Sequence, residues 1–87
     1  MADYAIGYLS QRMTLCPHVH YSGTLHNAID MYHLFSPPMN EDDLHISPVT
    51  QVIETAIAEK AGRLVIVGGT YNPAKLVFVA DYIREIS

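Results

Sequence analysis

The sequence predicts a small two-layer α/β domain in the order ββαβαβα, with helices packed against a three- or four-stranded mixed sheet. Residues 1–87 read as a single domain. Three observations carry this. Leu64-Val65-Ile66-Val67 is the densest β-branched run, and it is continuous rather than alternating, as in a strand buried on both faces. Val49, Val52, Ile53, Ala56 and Ile57 recur at helical spacing shortly before it. Residues 13–21 alternate with the period of a half-buried strand.

Taken in order, residues 4–9 form a strand with Tyr4, Ile6 and Tyr8 on one face. After a turn at residues 10–12, the second strand sets Met13, Leu15, Val19 and Tyr21 on one face. Thr14, Cys16, His18, His20 and Ser22 fall on the other. Pro17 cannot donate to a ladder, so this strand is an edge or is interrupted there. Thr24 caps a helix that buries Leu25, Ala28, Ile29 and Tyr32, and Ser36-Pro37-Pro38 stops it. The acidic loop at residues 39–43 divides a ββα half from a βαβα half. A short strand at residues 44–46 precedes a helix that starts at Ser47-Pro48 and ends at Gly62. The buried strand then leads through Gly68-Gly69 to Asn72-Pro73, which reads as N-cap and first helical residue. Leu76, Val79, Ala80, Ile83 and Ile86 supply the apolar face of that last helix. Leu76-Val77-Phe78-Val79 also suits a strand in a hairpin; the Asn-Pro start favours the helix.

The bulk numbers restrict the function. Net charge is −4 with only five Lys and Arg, so the electrostatic footprint of nucleic-acid binding is missing. Charged residues make up 16 % and apolar ones 49 %, which leaves apolar surface uncovered and predicts a homo-oligomer. Six tyrosines suit an interface. One cysteine fits a reducing compartment. The start of the chain has no basic flank of the signal-peptide kind, and no apolar run approaches the ~20 residues that span a bilayer. The reading is a cytoplasmic protein without membrane contact.

A strand, two glycines and a helix N-terminus can hold an anion on free N–H groups and the helix dipole. Gly68, Gly69, Thr70, Tyr71 and Asn72 are the ligand-binding residues on this reading. The plainer alternative is a tight connection that needs glycine for its backbone. The stretch Gly68-Gly69-Thr70-Tyr71-Asn72-Pro73 resembles the GGTFDP or GGTFNP loop of nucleotidyltransferases that adenylylate nicotinate nucleotide or pantetheine phosphate. That family continues with a His-x-Gly-His signature, where this chain reads Ala74-Lys75-Leu76-Val77-Phe78, so the resemblance carries no activity. The helix–strand–loop–helix pattern over residues 48–84 is similar to the core of Alba-type nucleic-acid-binding proteins, without that family's basic loop.

Five histidines are many for this length. His18 and His20 share a strand face with Cys16, with backbones about 6.5–7 Å apart. His26, Asp30 and His33 share a helix face, and two histidines with one carboxylate make an open metal triad. Zinc at His18, His20 and His26 is the candidate metal site; the alternative is two solvated polar faces. No catalytic residue is assigned: the carboxylates at 41–43 lie together in a loop, and no G-x-S-x-G stands in the chain.

The expected function is non-catalytic binding of a small anionic or nucleotide-like ligand by a homo-oligomer. The alternatives are a small acidic protein-interaction module or inhibitor of another protein, nucleic-acid machinery included, and a metal-dependent enzyme built on the histidines.

Overall fold

The computed structural model describes residues 2–35 and 37–86. The order is β1 (Ala2–Leu9), β2 (Thr14–Gly23), α1 (Leu25–Phe35), β3 (Leu44–Pro48), α2 (Gln51–Ala58), β4 (Leu64–Asn72) and β5 (Val77–Glu85). The five strands close into a barrel in the order β1-β2-β3-β5-β4, with β4 returning to β1. Among the described residues only β3 and β5 pair in parallel. This replaces the expected three- or four-stranded layer in the order ββαβαβα: the described residues form five strands and two helices in the order ββαβαββ, and the strands close on themselves.

The largest correction is at residues 73–86. Asn72-Pro73 does not start a helix; residues 73–76 turn and β5 pairs back on β4. Lys75 N–H donates to Asn72 Oδ1 at 3.3 Å, the same i to i+3 bond that an N-cap makes. The bond is therefore ambiguous in sequence. What decides is pairing, since β5 lies between β3 and β4 in the barrel. Phe78 and Ala80 are fully buried while Val79 and Asp81 are exposed, a period of two.

The barrel interior holds Ala5, Leu9, Leu15, Leu44, Ile46, Val65, Val67, Phe78 and Ala80. Ile57 of α2 is buried with them and Ile53 packs against them, so α2 closes one end of the barrel. A second cluster lies outside the barrel wall, where Ala28 of α1 packs with Ile6 and Ile66, flanked by Val19, Tyr21, Ile29 and Tyr32. The continuous run in β4 follows from this: Val65 and Val67 face the interior and Ile66 faces α1.

Thr24 caps α1, accepting the Asn27 N–H on Oγ1 at 3.1 Å. Ser36, part of the expected helix stop, lies outside the described residues. α2 is shorter than the expected 47–62. Ser47 and Pro48 belong to β3, and Thr50 is the N-cap, its side chain accepting from Ile53 N at 3.2 Å. Val49 and Val52, expected in the buried stripe, are exposed; the helix is rotated so that Ile53 and Ile57 carry the packing.

β2 runs through Pro17. Its register against β1 shifts between the Gly7 and Leu9 pairings, where Pro17 has no N–H to offer. The shift also corrects the assignment of faces. His18 and His20 pair with Gly7 and Ala5, so they line the barrel interior together with Leu15. Val19 and Tyr21 lie under α1.

Candidate functional site

The end of the barrel away from α2 is polar. Asp3 belongs to the inward row of β1 with Ala5, and Ser22 and Gly69 stand opposite it on β2 and β4. Asp3 Oδ1 takes hydrogen bonds from His20 Nε2 at 3.2 Å and Ser22 Oγ at 3.1 Å. Its Oδ2 takes the Tyr71 backbone N–H at 3.2 Å. An ionised carboxylate only accepts, so the proton of the first bond sits on His20 Nε2. The His20 ring stacks on Tyr71 with centroids 4.2 Å apart and planes 24° off parallel, and Tyr71 leans on Phe78 at 6.2 Å. One carboxylate thus ties β1, β2 and β4 together at the barrel mouth.

The Tyr71 N–H is the largest cause holding the Asp3 carboxyl below its ordinary range; burial opposes it, and His20 and Ser22 add to it. A depressed folded pKa stabilises above the unfolded value and is lost as pH falls through the folded one. Asp3→Ala is expected to cost about 1–2 kcal/mol at neutral pH, allowing for solvent screening of a partly exposed group. Urea unfolding at pH 7 and below the ordinary aspartate range checks this. The difference between wild type and variant shrinks in acid, and a difference independent of pH contradicts it.

The cluster is not arranged for nucleophilic catalysis. A serine activated by histidine must hydrogen-bond to it, whereas Ser22 and His20 both donate to the same oxygen of Asp3. The expected ligand residues are placed differently from each other. Gly68 and Gly69 lie inside β4 at a register shift against β5, Thr70 is exposed, Tyr71 is in the mouth, and Asn72 ends the strand. With no helix at Pro73, the dipole expected to favour an anion is absent from this segment, and Asp3 occupies the Tyr71 N–H.

The expected metal residues are not brought together. His18 and His20 share the barrel interior, but His26 is on α1, 90 % exposed in its side chain and paired with Asp30 at 3.0 Å. Among the described residues no group of three or more His, Cys, Asp and Glu side chains is gathered as a metal set. His18 is fully buried opposite Gly7, and its Nδ1 has no partner among the described residues; nor has Tyr21 Oη under α1. The Cys16 thiol donates to the Glu41 carbonyl at 3.0 Å. Desolvation first, then the Asp43 carboxylate, raises its pKa, the opposite of what a nucleophile needs. A cavity of about 250 Å³ between the β1–β2 turn and α2 is lined by Ser10, Gln11, Met13, Ile57, Ala58 and Ala61. The Ser10 hydroxyl is already bonded to Thr14 Oγ1 at 2.8 Å, which leaves Gln11 as the remaining polar side chain of an otherwise apolar lining.

Sequence reading missed Asp3 and Ser22. The available signal was parity: Asp3 shares the inward row of Ala5 and Leu9, and a charge in such a row needs partners. Comparison with protein-family models, with curated proteins and with solved structures gives no match.

Proposed function

We propose that the protein is a non-catalytic protein-interaction module. The observation that carries this is the outer end of α1, where Leu34 is 74 % and Phe35 64 % exposed beside the exposed Met31. Large apolar side chains grouped on one short helix end suit docking against another protein's apolar surface. The polar side chains of the barrel mouth support the reading from the other side, since they are engaged in holding strands together. The net charge of −4 favours a partner with a basic rim around its apolar contact. The layout of a five-stranded closed barrel is shared with OB-type barrels, many of which bind oligonucleotides. That is a likeness of architecture alone, and the acidic balance argues against a nucleic-acid ligand here. The single cysteine, held as a thiol, suits the reducing cytoplasm. Among the described residues no helix is long and apolar enough to cross a membrane.

The test is a comparison of wild type with the double variant Leu34→Ser, Phe35→Ser. Both are immobilised, exposed to native cell extract, and any captured protein is purified and titrated against each. The expected result is a saturable complex with wild type and a loss of at least about tenfold in affinity for the variant, with its melting temperature kept. Equal binding, or no saturable partner, contradicts the reading. Thermal-shift titration with nucleotides and sugar phosphates separates it from the anionic-ligand alternative, which requires a shift that the interaction reading does not.

A further inference from the structure

We propose that the outer face of β3, β5 and β4 is a homodimer interface, formed by two copies of this chain related by a two-fold axis near Phe78. It uses a different surface from the end of α1 and does not rest on the reading above. The register lays two rows of side chains across the three strands. Ser47, Val79 and Thr70 form one, and His45, Val77 and Asn72 the other. Five of the six are exposed and Val77 is half-buried. α1 packs over a different part of the wall, where Ile6 and Ile66 lie.

Two features select a second copy as the occupant. First, a chain of net charge −4 repels its own copy wherever carboxylates face each other. None of the nine Asp and Glu residues falls in either row. Second, the two ends of the face carry opposite charges. Lys75 lies in the turn before β5 and Asp81 lies midway along β5, at its register shift against β4, and both are exposed. Neither forms an ion pair among the described residues. A two-fold axis at Phe78 brings β5 against the partner's β5 in opposite directions. Val77 then meets the partner's Val79, and Lys75 meets the partner's Asp81, each contact occurring twice. The face is self-complementary in charge, with the two valines of β5 at its centre and polar side chains at its other four positions. Three strands spaced about 4.8 Å apart make a narrow interface, so the dimer is of the weak class.

Sedimentation equilibrium on the full chain tests this with four variants: Val79→Asp, Lys75→Glu, Asp81→Lys, and the last two combined. The wild type is expected to associate reversibly to a dimer. Val79→Asp, at a position already 38 % exposed, weakens it at least about tenfold without loss of fold by circular dichroism. Each single charge reversal sets like charges against each other twice and weakens the dimer, and the double exchange restores it. The restoration shows that the effects are not failures to fold. A wild type that stays monomeric to its solubility limit overturns the proposal. So does a dimer indifferent to Val79→Asp, or one indifferent to both charge reversals. A dimer broken by Leu34→Ser with Phe35→Ser instead places the contact on α1 and overturns this face alone.

Discussion

Gly69→Ala is expected to cost more than about 4 kcal/mol, enough to leave much of a marginally stable chain unfolded. Gly69 has φ of +153°, and a Cβ built on it would lie 1.9 Å from the Val79 carbonyl oxygen, a backbone atom of the neighbouring strand. Nothing flexible stands there to move. The register of β4 against β5 shifts at this point, and the extra residue of the bulge is accommodated because Gly69 has no side chain. Gly68→Ala is the control. Its Cβ would come within 2.8 Å of Tyr4 Cε1, the far end of a ring that can swing aside, so the cost is smaller. Chemical denaturation of the two variants in parallel checks this. Equal, small losses for both contradict the bulge.

Phe78→Ala is expected to cost about 3–5 kcal/mol, the usual range for deleting a fully buried aromatic ring. Among the described residues Phe78 is the largest fully buried side chain. It lies in the barrel cluster with Ile46, its register neighbour in β3, and touches the Tyr71 ring that carries the stack on His20. The loss therefore reaches the barrel mouth. Denaturant midpoints measure the cost, and the environment of His20 read by NMR measures the reach. A loss below about 0.5 kcal/mol places Phe78 on a surface and contradicts the barrel.

How much of this was legible in the sequence depended on whether the signal was local. Thr24 before an apolar-periodic run marks the start of α1, and the bond to Asn27 N is there. The unbroken apolar run at 64–67 implies burial on both faces, and the interior and α1 supply the two layers. Asn72-Pro73 misled because the side chain of asparagine makes the same bond in a turn as in a helix cap. The apolar residues at 76, 79, 80, 83 and 86 satisfy a helical period while Phe78, Ala80 and Tyr82 satisfy an alternating one. The Asn-Pro start favoured the helix, and pairing with β3 and β4 decided for the strand. Val52 illustrates the limit for α2: spacing defines a stripe, but its rotation is set by the barrel end that the helix closes. The candidate site was the least legible part. Asp3 and Tyr71 are 68 residues apart, and no local pattern announces a bond that exists only when β4 closes onto β1.

Residues 77–85 form a strand that closes the barrel, which leaves no helix at Pro73 and creates the β3–β5–β4 face. The most direct measurement is a backbone NMR assignment with cross-strand nuclear Overhauser effects. Contacts are expected between Thr70 and Val79 and between Ile46 and Phe78, with extended-chain chemical shifts through 77–85. Helical shifts with sequential i to i+3 contacts along 77–85 would contradict it.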